Sequence, residues 1–160
     1  MARASQGRIT YRRALLGAAP RSDVPFFEMA NGSSVFPEQS PFARTEVHHA
    51  MTTLDDVVRE AGTPPAALLK LDAQGSELDI LRGGATALAQ AEVVLMEVAL
   101  IGVNRGAPLF DETIAFMKAR GFVAHDICSL IRRNLDGALW VTDIIFVSER
   151  STLRASERYQ

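Results

Sequence analysis

One cysteine, Cys128, stands in 160 residues, so no disulfide can form within the chain. A reducing cytoplasm is the expected address. Cys128 lies in the apolar stretch HDICSLI, which reads as a buried structural thiol rather than a reactive one. Long hydrophobic runs are also missing. The longest, Val93 to Val103, is broken by Glu97 and Gly102 and falls short of the roughly 18 residues that suggest a membrane span. The opening stretch MARASQGRITYRR is basic but is not followed by an apolar segment, so no secretory signal is read. Basic charge has no excess: 17 Lys and Arg against 19 Asp and Glu give a net charge of -2. That balance excludes the electrostatic footprint of a nucleic-acid or anionic-membrane binder, and neither partner is expected. The three histidines, His48, His49 and His125, lack zinc-site spacing. Glycine is sparse where a dinucleotide-binding turn would need it. Gly7, Gly17 and Gly32 are the only early ones, and none belongs to a G-x-G pattern after a strand. Half of a nicotinamide-binding domain is therefore a poor reading.

What is present is ordinary globular material, with 48% apolar residues, enough for one core. A single domain is expected over residues 1–148, with a frayed tail over 149–160. Residues 8–16 (RITYRRALL) read as a strand ending at Gly17, and 24–29 (VPFFEM) as a second extended piece. Residues 31–41 are a polar loop rich in turn residues. Residues 53–61 (TLDDVVREA) read as a helix capped by Thr53, with Asp56 at the capping-box position and Gly62 as the stop. Residues 67–72 form a buried strand, and Ser76 caps the helix after it. Residues 92–100 are a second buried strand and 111–120 an amphipathic helix ending at Gly121. Residues 122–127 and 139–148 are strands expected to pair antiparallel. Strand and helix alternate until the last two strands, which is an α/β signature. The continuous apolar strands suggest a sheet covered on both faces.

The question is why a buried strand should end on a carboxylate, as it does in LKLDAQGSE at residues 69–77. Strand-to-helix turns of this kind carry the chemistry of open α/β sheets. The wider pattern resembles the FkbM-type methyltransferases. Six pieces carry the resemblance in order: ALLG at 14–17, GSS at 32–34, TLDD at 53–56, LKLDAQGSELDILRGG at 69–84, VVLMEV at 93–98 and GF at 121–122. It implies a Rossmann-like class I methyltransferase fold, mostly parallel with a final antiparallel strand. It further implies that S-adenosylmethionine donates a methyl group to a hydroxyl of a sugar or natural product. The family's first strand, its Gly-rich turn for the methionine part of the cofactor and its ribose-binding carboxylate have no counterpart here. The chain is thus expected to match the family from its third strand on, as an N-terminally truncated fold. A catalytically inactive remnant serving as a binding or interaction module is the alternative.

The resemblance places Asp72 on the acceptor side of the reaction, where a carboxylate orients or deprotonates a hydroxyl. The other reading has Asp72 capping its own turn. Gln74 and Gly75 shape that turn, and Ser33, Ser34, Asp72 and Gln74 are the expected cofactor contacts. Glu97 sits in an apolar strand, where an unpaired charge costs several kcal/mol. It either pairs with Lys70 or meets Asp72 as an acid/base pair, with a shared divalent metal as a further use. Glu77 reads as a helix-dipole partner, and Met96 and Trp140 as core. Without the family's first strand, residues 67–72 form an apolar edge. Residues 8–16, or another chain in a homo-oligomer, are expected to cover it.

Overall fold

The computed structural model describes residues 9–29, 32–156 and 158–159. Its strands fall into two sheets. The smaller holds β1 (Leu15–Leu16), β2 (Arg21–Glu28) and β3 (Thr45–Thr52) in the order β1-β3-β2. The larger holds β4 (Leu68–Leu71), β5 (Val93–Ala99), β6 (Phe122–Ile127), β7 (Ile131–Arg132) and β8 (Leu139–Ser148). Its order is β4-β5-β8-β6, with β7 added on β8. Helices α1 (Leu54–Ala61), α2 (Glu77–Arg82), α3 (Ala85–Gln90) and α4 (Phe110–Lys118) fill the connections.

The α/β class holds, but a mostly parallel sheet does not. In the larger sheet only β4 and β5 run parallel, while β5, β6 and β7 each pair β8 antiparallel. The sheet is mixed because β8 enters between β5 and β6, after the hairpin-like connection that contains β7. A strand returning without a crossover helix can only pair antiparallel.

Local signals explain most of the elements. The Thr53 hydroxyl accepts from Asp56 N at 3.1 Å, and Gly62 ends α1 in the left-handed region, as the sequence required. Ser76 occupies the N-cap position of α2, but its hydroxyl makes no capping bond there. At α4, Glu112 reaches back to accept from Leu109 N at 3.0 Å. Residues 8–16 do not form one long strand. Only Leu15–Leu16 do, parallel to Met51–Thr52 of β3, and Arg8 lies outside the described residues. β3 is a full strand across the His48–His49 pair. His48 bonds Asp23 at 2.7 Å, and the His49 ring packs edge-on against Phe26.

The core lies on one face of the larger sheet. Val94, Met96 and Val98 of β5 alternate with half-buried neighbours. With Leu71, Ile144 and Phe146 they meet Leu78, Leu81, Leu88, Phe116 and Met117 from the helices. The period of two along each strand sends Lys70, Asp72, Glu97 and Asp143 to the opposite face. That face is covered in part: Val141 and Val147 of β8 are buried on it while Lys70 and Asp72 are about half exposed, so the expectation of two buried faces holds only in part. The end of α2 meets the residue after β1 where Gly83 approaches the Gly17 carbonyl so closely that a Cβ at Gly83 would lie 2.1 Å from the oxygen. β4 pairs with β5 alone among the described residues, and Leu68 is 56% exposed on its open edge. No strand from residues 9–16 pairs with it: Leu15–Leu16 are engaged by β3. Beyond β8, Glu149 pairs with Lys118, and the Ser151 hydroxyl donates to Glu92 at 2.7 Å.

Candidate functional site

The site forms where β4 and β5 end. The parallel register sets Leu71 beside Met96, so the next residues, Asp72 and Glu97, emerge side by side on the open face. Glu97 also lies opposite Asp143 of β8. Between β4 and α2 the chain turns through Gln74 at φ 50° and Gly75 at φ 98°. The turn requires glycine at 75, because a Cβ there would lie 2.5 Å from Ala107 Cβ as well as demand a left-handed backbone.

This turn aims the Gln74 side chain at both carboxylates. Its amide Nε2 donates to Glu97 Oε1 at 3.0 Å and to Asp72 Oδ1 at 3.2 Å. Lys70 Nζ donates to the other Asp72 oxygen at 3.0 Å. Lys70 therefore pairs with Asp72 and not with Glu97. The Asp72 bond is the main cause that raises the Lys70 pKa. The meeting of Asp72 and Glu97 read from the sequence is present, with one amide shared between them.

Glu97 is the unusual group. Its carboxyl is pushed up to about 7, first by burial, then by Asp72, Glu77 and Asp143, with Lys70 opposing. A carboxyl raised in this way binds its proton in the native state over a pH range where the unfolded chain has already lost it. Glu97 therefore makes stability fall as pH climbs from about 4.5 to about 7. Glu97→Gln should flatten that decline and leave the protein more stable than wild type at about pH 8 but not at about pH 4. Urea unfolding midpoints of both proteins across that range test this, and parallel profiles would refute it.

The remaining candidates fall into place around the turn. Ser34 is buried, and its hydroxyl donates to the Gln74 carbonyl at 2.8 Å and accepts from Phe36 N at 3.0 Å. Ser33 is closed on the Met29 peptide, accepting from its N–H and donating to its carbonyl, each at 2.9 Å. Beside Glu97 lies a cavity of about 290 Å³, lined among others by Met29, Glu38, Phe42, Gln74, Ile131 and Trp140. Trp140 is thus a half-buried wall of the site and not core, because β8 carries it past the end of the helical layer. Met96 is core. Cys128 is exposed rather than buried, since the end of β6 and the loop after it leave the covered face. Ser129, unremarked in the sequence, donates its hydroxyl to Asp143 at 2.6 Å and ties β8 to that loop. A hydroxyl whose partner is 14 residues away leaves no local sequence signal. Among the described residues no group of three or more His, Cys, Asp or Glu is arranged to hold a metal. No helix among them is long and apolar enough to cross a membrane.

A mixed α/β sheet with paired carboxylates at its strand ends, a left-handed turn between them and a cavity beside Glu97 is a fold with one open carboxyl-end site. The family model described as Methyltransferase FkbM domain matches residues 14–124, and the chain belongs to that family. That span contains β4, the turn and β5, and with them Asp72, Gln74 and Glu97. No curated protein and no solved structure matches the chain.

Proposed function

We propose that this chain serves S-adenosylmethionine-dependent transfer of a methyl group to a hydroxyl of a sugar or natural product. The observation that carries the reading is the Asp72–Gln74–Glu97 arrangement at the end of β4 and β5, inside the span that the family model covers.

The residues present fit the methyl-donor end of the cofactor by charge. A sulfonium is a cation, and Glu97 and Glu38 are the carboxylates that line the cavity, with Asp72 joined to Glu97 through the Gln74 amide. When bound, S-adenosylmethionine supplies a methyl group activated by its positive sulfur. The chain's own residues act on the acceptor. Each Asp72 oxygen has one bond, to Gln74 or to Lys70, which leaves lone pairs for an incoming hydroxyl. Asp72 accepts the hydroxyl proton as the oxygen becomes nucleophilic. Glu97, close to half-protonated near neutral pH, fixes the hydroxyl through a second hydrogen bond and shares the proton load. Gln74 keeps the two carboxyls at a set separation. Trp140 and Phe42 supply apolar walls against which a ring can rest. The Gln74 amide donates to both carboxyls and Lys70 holds the other Asp72 oxygen, so the residues present do not fit a divalent metal between them, and magnesium enters the assay as the control for that.

Calorimetric titration with S-adenosylmethionine, with and without magnesium, tests the reading. Saturable binding in the micromolar range is expected. Absence of binding at millimolar cofactor would overturn it in favour of a binding or interaction module.

A further inference from the structure

Glu77 is the buried carboxyl that the proposed chemistry does not use. It is 5% exposed, in the first turn of α2. Its Oε1 accepts from Ala73 N at 2.7 Å, and the peptide groups of Gly75 and of Glu77 itself are also directed at the carboxylate. Glu77 thus grips the strand-to-helix turn from behind, over the residues whose backbone is left-handed. Ser34 holds the same turn from the front through the Gln74 carbonyl. The turn is therefore clamped at three consecutive residues, and the side chain it presents is the amide that joins Asp72 to Glu97.

We propose that Glu77 is a positioning residue whose buried carboxylate fixes the Ala73–Gly75 turn so that the Gln74 amide bridges Asp72 and Glu97. This inference rests on the reading of Asp72 and Glu97 as the reacting pair. Its burial and its neighbourhood support it beside the turn bonds themselves. A carboxylate that served only the helix dipole would sit in solvent, where it costs nothing to hold. Burial of Glu77 pushes its carboxyl up, and the peptide bonds at the turn oppose that shift, so the bonds are what make the buried site tolerable for an anion. Glu77 and Glu97 also line one enclosed space of about 30 Å³ together with Gln74.

The test uses Glu77→Gln and Glu77→Leu in the full chain, followed by NMR of the Gln74 side-chain amide and of the Glu97 carboxyl. The groups facing Glu97 are Asp72, Glu77, Asp143 and Lys70, and neither variant touches the other three. Glu77→Gln keeps an acceptor for Ala73 N and removes one negative neighbour. The Gln74 amide should keep its distinct resonances while the Glu97 midpoint falls. Glu77→Leu removes the acceptor. The Ala73 amide should then lose exchange protection, and the Gln74 side-chain signals should collapse toward those of a free amide. If Glu77→Leu does not fold, exchange of the Ala73 amide in Glu77→Gln decides: protection kept with Gln74 still fixed supports the proposal, and protection lost with Gln74 still fixed overturns it. Both variants losing thermal stability, with Gln74 and Glu97 signals unchanged, would reduce Glu77 to a packing role. These readouts need no turnover. Methyl transfer measured beside them separates the two ideas: altered Gln74 and Glu97 signals in a chain without transferase activity would leave the positioning role standing and sink the reaction.

Discussion

Asp72→Asn is expected to lower methyl transfer by about 10²- to 10⁴-fold, the range of a removed general base, while the fold survives. Asparagine has the shape of aspartate and still offers a carbonyl oxygen to Gln74, but it cannot take a proton. Structurally the change is mild. The Asp72 carboxylate is half exposed, and its ion pair with Lys70 lies at the surface. Such pairs contribute about 0–1 kcal/mol. Transfer of labelled methyl from S-adenosylmethionine and a thermal melt on the same preparation separate the two effects. Glu97→Gln is the companion variant: it keeps the bond from Gln74 and removes the shared proton, so its loss should be smaller. Turnover retained in Asp72→Asn would take Asp72 out of the mechanism.

Phe146→Ala carries the largest expected effect on stability. Phe146 is 1% exposed in the middle of β8, paired with Val94 on one side and Ala124 on the other. Its ring belongs to the cluster built from Leu81, Met96 and Met117. Truncation of a buried Phe to Ala removes about 3–5 kcal/mol, from lost burial and from the cavity left behind. Domains of this size are stable by about 5–15 kcal/mol in all. The unfolding midpoint should therefore fall by on the order of 10 °C. The site should be lost with it only near that midpoint, since β8 braces Glu97 through Asp143 rather than contacting the cavity with Phe146. Calorimetric melts decide it. A loss below about 1 kcal/mol, typical of an ordinary surface change, would show that the core is not centred on β8.

Much of the candidate site was legible from local chemistry. Asp72 ends an apolar run, Gly75 follows at the turn, and Ser76 and Glu77 open a helix; strand, turn and helix follow from those residue types alone. Thr53 with Asp56, and Gly62 beyond them, bound α1 in the same way. Glu97 stood out because a charge inside EVVLMEVAL needs a partner. The partner itself was not legible. Lys70, two residues from Asp72 on the same strand face, was taken by Asp72, and Gln74 was left to reach Glu97, 23 residues away. Sequence spacing cannot distinguish those outcomes, because both turn on where the left-handed backbone at Gln74 points its side chain.

The α1 cap and stop, the apolar strands β4, β5 and β8 and the family motifs were determined by the sequence itself, because each depends on neighbours within a few positions, whereas β3, β7 and the absent Ser76 cap bond were not. The tertiary structure decided the rest. Insertion of β8 between β5 and β6 made the sheet mixed and set Asp143 opposite Glu97. A second face covered only in part left Lys70, Asp72 and Glu97 at its open end. The Trp140 wall, the exposed Cys128 and the buried Glu77 follow from that layering. Each depends on which surfaces meet across distances in sequence that no local preference encodes, and on the desolvation those meetings impose.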